Sequence, residues 1–182
     1  MANQKYEFDT THSTVGFAVR HLMVSKVRGA FTKWSGTLQF DERAPEQAEL
    51  DVTIDAASID THEKQRDDHL RSPDFFDAAN HPSLTFRAKG AEKKGEGRYV
   101  VRGELTIRGT TRPVDLDVEY AGRAKDPWGG ERVAFEARTS INRKDFGLSW
   151  NQALETGGVL VGEKVEINLE VQAKAVAAAA AA

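Results

Sequence analysis

Along most of the chain, apolar and polar residues alternate with a period of two, the signature of strands that bury one face and wet the other. Val15, Phe17 and Val19 are interleaved with Thr14, Gly16, Ala18 and Arg20, and Leu50, Val52, Ile54 and Ala56 with Asp51, Thr53 and Asp55. The same spacing carries Leu84, Phe86 and Ala88, then Tyr99, Val101, Leu105 and Ile107, then Val114, Leu116, Val118 and Tyr120. It returns in Val133, Phe135, Ala137, Thr139 and Ile141, and in Val165, Ile167, Leu169 and Val171, whose alternate positions are Glu166, Asn168, Glu170 and Gln172. Val27 to Phe40 adds two strands, or one bent around Gly36, for about eight to nine in all.

The connections predict hairpins and hence an antiparallel sheet. Glu42 to Gln47 contains a proline, Lys93 to Gly97 is a polar glycine loop, and Gly109-Thr110-Thr111-Arg112 reads as a tight turn. The segment from Thr61 to Asp77 departs from the alternation. Thr61 is placed to cap a short helix carrying Glu63, Lys64 and Leu70, which Pro73 interrupts or follows.

Alternation alone does not separate a closed barrel from a two-sheet sandwich, because both give strands with one dry face. An immunoglobulin-type sandwich uses about 100 residues, whereas long strands repeated over most of a 182-residue chain favour a tall barrel. Eight strands leave an interior either just filled by side chains or open to one slender ligand. Gly29, Gly36, Gly103 and Ala137 would keep it open, or would serve as bulges and corner bends.

Composition narrows the classes. One domain suits the length, assigned to residues 1–174, followed by an alanine-rich tail at 175–182 that reads as tag or disorder. With 40% hydrophobic and 29% charged residues and a net charge of −3, the chain has no basic field for phosphate backbones, so nucleic acid is not expected as a partner. The absence of cysteine removes disulfides, thiolate nucleophiles and Cys-based metal sites. The chain as written starts without a secretion signal and points to the cytoplasm, whereas a removed leader would make it periplasmic or secreted.

Catalytic motifs find no support. His12, His21, His62, His69 and His81 include no HExxH pair. His62 and His69 are spaced to share a helix face, but surface polarity accounts for them more simply than metal ligation, and no metal is expected. Ser13, Ser72 and Ser140 belong to no motif that places a catalytic base beside them, and Gly129-Gly130 and Gly157-Gly158 belong to no phosphate-binding pattern. Arg20-His21 at a strand end and Arg66 with His69 on the insertion could meet at a barrel mouth and suit an anionic or polar head group. Equally, Arg66 and Asp67 could simply tie the insertion to neighbouring backbone. Phe75 and Phe76 either line the entrance or plug one end of the core.

From about Tyr6 to Val171 the chain closely resembles the YceI-like polyisoprenoid-binding family. The resemblance rests on ordered motifs: Asp9-Thr10-Thr11-His12-Ser13, Val15-Gly16-Phe17-Ala18-Val19-Arg20-His21 and Gly29-Ala30-Phe31, then Ser58-Ile59-Asp60-Thr61 and Arg66-Asp67-Asp68-His69-Leu70-Arg71-Ser72. Asp74-Phe75-Phe76-Asp77, Gly103-Glu104-Leu105-Thr106-Ile107-Arg108-Gly109, Ile141-Asn142-Arg143-Lys144-Asp145-Phe146-Gly147 and Val161-Gly162-Glu163-Lys164-Val165 complete them, and Pro73 is the departure noted. The resemblance implies an all-β, extended, antiparallel, eight-stranded lipocalin-like barrel with a helical insertion around residues 61–77. It implies a polyisoprenoid ligand, of quinone-precursor or polyprenyl-phosphate type, carried or stored reversibly without chemistry and without a further cofactor. Mapped onto this chain by the alternation, Phe17, Val19, Phe31, Leu105, Ile107, Phe135 and Phe146 line the cavity and Phe75 and Phe76 join them. His21, Arg66 and His69 are placed near the head group. Family members occur both exported and intracellular. Transient membrane contact fits this picture, and a homodimer is compatible with it. Two rivals stand beside it: a filled-core interaction or stress-related regulatory protein, and an enzyme acting on a small hydrophobic substrate.

Overall fold

The computed structural model describes residues 4–177; the remainder of the expected alanine tail, 178–182, lies outside the described residues. Its strands are β1 (Gln4–Phe8), β2 (Thr14–His21), β3 (Ser25–Phe31), β4 (Trp34–Phe40), β5 (Glu49–Asp55), β6 (Ile59–Asp60) and β7 (Ser83–Lys89). They continue with β8 (Glu92–Gly95), β9 (Arg98–Ile107), β10 (Thr110–Lys125), β11 (Glu131–Asn142) and β12 (Val161–Ala175), and the α-helix α1 (Lys64–Arg71) stands between β6 and β7. β1, β4, β5, β7, β9, β10, β11 and β12 pair in that order, and β12 closes the ring on β1 through Tyr6 opposite Ala175 and Phe8 opposite Ala173. Every pairing is antiparallel, so the chain forms an eight-stranded closed barrel, which removes the exposed edges of an open sheet. The last strand extends to Ala175, inside the segment expected as tail.

β2, β3 and β6 prolong three staves of this ring. β1 and β2 run along β12 in succession, interrupted by a 3₁₀ turn at Thr10–His12 that Asp9 caps by accepting the Thr11 N–H at 3.1 Å. At the interruption the ladder is repaired by a side chain, the Gln172 N–H donating to Ser13 Oγ at 2.9 Å. Of the two arrangements expected for this stretch the structure has the two-strand one, with β3 and β4 parting at Thr32-Lys33. Gly36 lies inside β4 because of close approach: a Cβ there would sit 2.7 Å from the Asp51 carbonyl and 3.0 Å from the Phe8 ring.

Three local expectations change. The β9–β10 turn is Arg108-Gly109, both at positive φ (49° and 74°), and Thr110 to Arg112 already belong to β10. A two-residue hairpin of type I′ takes that handedness at both central residues, and the glycine supplies it without a Cβ clash. Part of the polar segment after Gly90 forms β8 beside β9, and its turn falls at Glu96-Gly97. The cap of α1 is Glu63, whose carboxylate accepts the Arg66 N–H, whereas Thr61 turns inward to Asp67. Pro73 follows the helix, whose C-cap is Ser72.

Successive staves run in opposite directions, so one end of the barrel carries α1, the β2–β3 and β9–β10 turns and the 143–160 connection, and the other, the terminal end, carries the start of β1 at Gln4 and the end of β12 at Ala175. Two apolar clusters divide the interior accordingly. At the terminal end Phe40 stands edge-on to Tyr99 and Phe135, with centroids 5.7 and 5.4 Å apart, and Tyr6, Val133 and Ala173 complete a buried apolar plug.

Candidate functional site

Above that plug the barrel is hollow. A cavity of about 650 Å³ runs along its axis, within the range of small-molecule sites. Phe17, Val19, Val165, Ile167 and Leu169 point into it and are half-buried although they face the inside of a closed sheet. That exposure is to the lumen: inward side chains that interlocked would lose it. Two glycines help hold the lumen open. A Cβ on Gly103 would collide with the Phe86 ring, and one on Gly29 would lie 2.5 Å from the Phe17 ring. Each phenyl can therefore fold flat over the glycine of a neighbouring strand instead of projecting to the axis.

All twelve residues proposed from the sequence line this one cavity. Phe135 lies deep, in the terminal-end plug; Phe31, Leu105 and Ile107 lie on the wall; and Phe75, Phe76, Phe146 and His69 form a collar with Trp150 at the α1 end. In that collar the His69 ring is edge-on to Phe75 at 5.0 Å and to Trp150 at 4.6 Å, while its Nε2 is 2.8 Å from Asp74 Oδ2. Phe76 stands edge-on to Phe31 at 5.7 Å. His62 does not join His69. It precedes the helix at φ 62° and reaches Asp60 instead.

The charged lining residues, Arg20, His21, Glu63, Arg66, His69 and Arg143, all belong to the α1 end. Thr61 organises part of this rim. Its N–H donates to the buried Asp67 carboxylate at 2.9 Å, its hydroxyl donates to the same oxygen, and Arg66 Nε donates to that hydroxyl at 2.7 Å. Arg66 Nη2 adds a bond to the Thr61 carbonyl at 2.8 Å. Arg66 thus ties α1 to Thr61, the residue that leads out of β6, yet it forms no ion pair among the described residues, and its Nη1 hydrogens are not used by those bonds.

Arg143 was quoted in the sequence only as part of a motif, and its role was missed. It is buried and spends its guanidinium on four carbonyls: Gly162 at 2.8 Å, Leu148 at 2.6 Å, Trp150 at 2.9 Å and Val161 at 3.2 Å. These bonds pin both ends of the 143–161 connection, and burial pushes the pKa of Arg143 down. An arginine in an Asn-Arg-Lys-Asp-Phe-Gly run could have signalled a loop anchor only with knowledge of which carbonyls surround it. Trp34 and Trp150, which also line the cavity, fall where the sequence alternation is interrupted and were not singled out.

The closed barrel thus has an apolar lumen with charged lining residues at one end, a shape able to take an apolar molecule. The chain belongs to the YceI-like family, whose domain description matches residues 6–173. It is 43% identical over 145 residues to a UPF0312 protein of Photorhabdus laumondii, covering 80% of this chain and 75% of that one. Among solved structures it is similar to BcnA of Burkholderia cenocepacia, with a TM-score of 0.80, 27% identity and coverage of 91% of this chain and 98% of that one. The fold is also shared, at a TM-score of 0.67 and 17% identity over 94% of this chain and 98% of the other, with a polyisoprenoid binding domain from Saccharophagus degradans.

Proposed function

We propose that the chain binds one polyisoprenoid lipid inside the barrel, head group at the α1 end, and acts as a reversible carrier or reservoir without chemistry of its own. The observation that carries this reading is the 650 Å³ cavity, lined along its length by apolar side chains, with its charged lining residues, mostly cationic, gathered at the α1 end. The polyisoprenoid-binding domain of Saccharophagus degradans supports the choice of ligand through the shared fold.

Transfer from water gains on the order of 3 kcal/mol per isoprene unit, at about 0.8 kcal/mol per buried carbon group. Ordering the chain opposes this, so the gross sum does not become affinity. Inside a bilayer the tail is already dry, and moving it into the barrel gains little. Shape and the contacts of Arg66 and His21 with the head group therefore decide specificity, and release into a membrane is as accessible as capture. A quinone-precursor carbonyl or a polyprenyl phosphate oxygen would both accept hydrogen bonds from Arg66.

The test is to purify the protein without detergent, extract it and identify the lipid by mass spectrometry. A bound isoprenoid, or uptake of added geranylgeraniol by delipidated protein, is expected. Empty protein that also fails to take up any isoprenoid would overturn the reading.

A further inference from the structure

Four large apolar side chains are exposed among the described residues: Leu22 (44%), Met23 (57%), Val24 (81%) and Trp128 (87%). Three of them are consecutive and form the tip between β2 and β3. The tip is costly in backbone terms as well, because Leu22 and Met23 adopt φ of 53° and 65°, a conformation that asparagine or glycine would take with less strain. A turn that breaks both the polar rule for loops and the residue preference of its own geometry points to a use outside folding.

Its position says which use. His21, immediately before the tip, lines the cavity, and the Leu22 N–H donates at 2.9 Å to the carbonyl of Leu160, another lining residue, which adjoins the register partner of His21 on the neighbouring strand. Met23 rests over Gly158, where an added Cβ would meet its side chain at 3.2 Å. The apolar tip is therefore braced against the 151–160 connection, beside the end where the charged lining residues gather. Arg20 flanks it, exposed and without an ion pair among the described residues.

We infer that Leu22, Met23 and Val24 insert into the interfacial region of a lipid bilayer and seat the cavity mouth against it, with Arg20 lying against lipid phosphates. The chemistry matches on both counts: an apolar wedge of three adjacent side chains suits the boundary between head groups and acyl chains, and an unpaired guanidinium beside it suits anionic phosphate. Docking in this orientation would let a tail slide between membrane and barrel without crossing water. The inference rests on the lipid-carrier reading for its purpose.

The test uses the absence of native cysteine, which makes labelling unique. Met23→Cys and, at the opposite end, Trp128→Cys are labelled separately with an environment-sensitive fluorophore and mixed with phosphatidylcholine vesicles, with and without phosphatidylglycerol. A blue shift and quenching by lipid-borne quenchers are expected at position 23 and not at 128, with a stronger response when phosphatidylglycerol is present. Leu22→Ser combined with Val24→Ser should weaken vesicle partitioning roughly ten-fold or more, since two buried aliphatic side chains are removed. No response at position 23, or an equal response at both positions, overturns the docking. So does a response that depends on protein concentration without vesicles, which would make the tip a contact between copies. Uptake of geranylgeraniol from a vesicle-free dispersion is measured in parallel, and the Leu22→Ser/Val24→Ser variant should retain it. Failure of uptake by the unsubstituted protein overturns the carrier reading, while the response at position 23 decides the docking on its own.

Discussion

The finite length of the cavity sets a limit on the tail it can shelter, and that limit can be measured. At about 30 Å³ per water-sized group, 650 Å³ accommodates about twenty carbon-sized groups, or roughly four isoprene units. Affinity should therefore climb along a series of prenyl alcohols from two units to four and then level off, because a fifth unit must leave through the mouth into water. Each added unit contributes about 3 kcal/mol of gross transfer, reduced by about 0.5–1.5 kcal/mol for ordering it, the cost of immobilising one flexible side chain. The net gain is then on the order of 2 kcal/mol, at least ten-fold per unit. Ala137→Phe supplies the internal control. Ala137 lines the lumen, and the added ring brings about six carbon-sized groups, comparable with one isoprene unit, so the plateau should move from four units to three. Overpacking should cost about 1–3 kcal/mol of stability and leave the barrel folded. Displacement of an apolar fluorophore by each alcohol gives the affinities. A series that rises without a break through six or more units, or a plateau that Ala137→Phe leaves unmoved, would refute the volume argument.

Further expectations follow from individual side chains. Arg143→Met strips four buried or half-buried carbonyls of their donor and should lower stability by about 3 kcal/mol, read as a shift in the denaturant midpoint, with greater protease sensitivity in the 147–160 segment. Phe17→Asp places a carboxylate in the lumen and should abolish isoprenoid uptake while circular dichroism remains that of a folded barrel; undiminished uptake would remove Phe17 from the binding surface. Tyr6 is pushed up to about 12, first by burial and then by its hydrogen bond to Glu131. Because the folded state holds this proton more tightly than the unfolded chain, its stabilisation is complete below pH about 10 and is lost between about 10 and 12. The loss is on the order of 2–3 kcal/mol. Tyr99 and Tyr120 are also pushed up by burial, so Tyr6→Phe should reduce the alkaline loss in a pH titration of stability without abolishing it.

Strand alternation made the barrel wall legible, because inward positions such as Val15, Phe17 and Leu169 are apolar and most outward neighbours, such as Thr14, Asn168 and Glu170, are polar. What alternation could not show was where staves break. The interruption at Thr10–His12 depends on Asp9 capping the turn and Ser13 replacing a ladder bond, and both are ordinary polar residues in the sequence. β8 was missed for a related reason. Glu92-Lys93-Lys94-Gly95 buries no face and is held by pairing with β9 alone. Thr61 looked like a helix cap because threonine preceded a polar helix, but its hydroxyl is claimed by Asp67, six residues away, and Glu63 takes the capping position. The wall residues of the cavity were accessible to the same periodic reading as the fold. The mouth was not, since the insertion, the β2–β3 tip and the Arg143 cage meet only through closure of the ring.

The central claim is that the lumen, and not an outer face, receives the isoprenoid. Cross-saturation between the methyl protons of bound geranylgeraniol and assigned aromatic side chains would test it most directly. Lining rings from the α1 end down to Phe135 should respond, with Trp128 on the outer surface silent. Transfer confined to outward-facing side chains, with Phe135 and Phe17 unaffected at saturating ligand, would contradict the account.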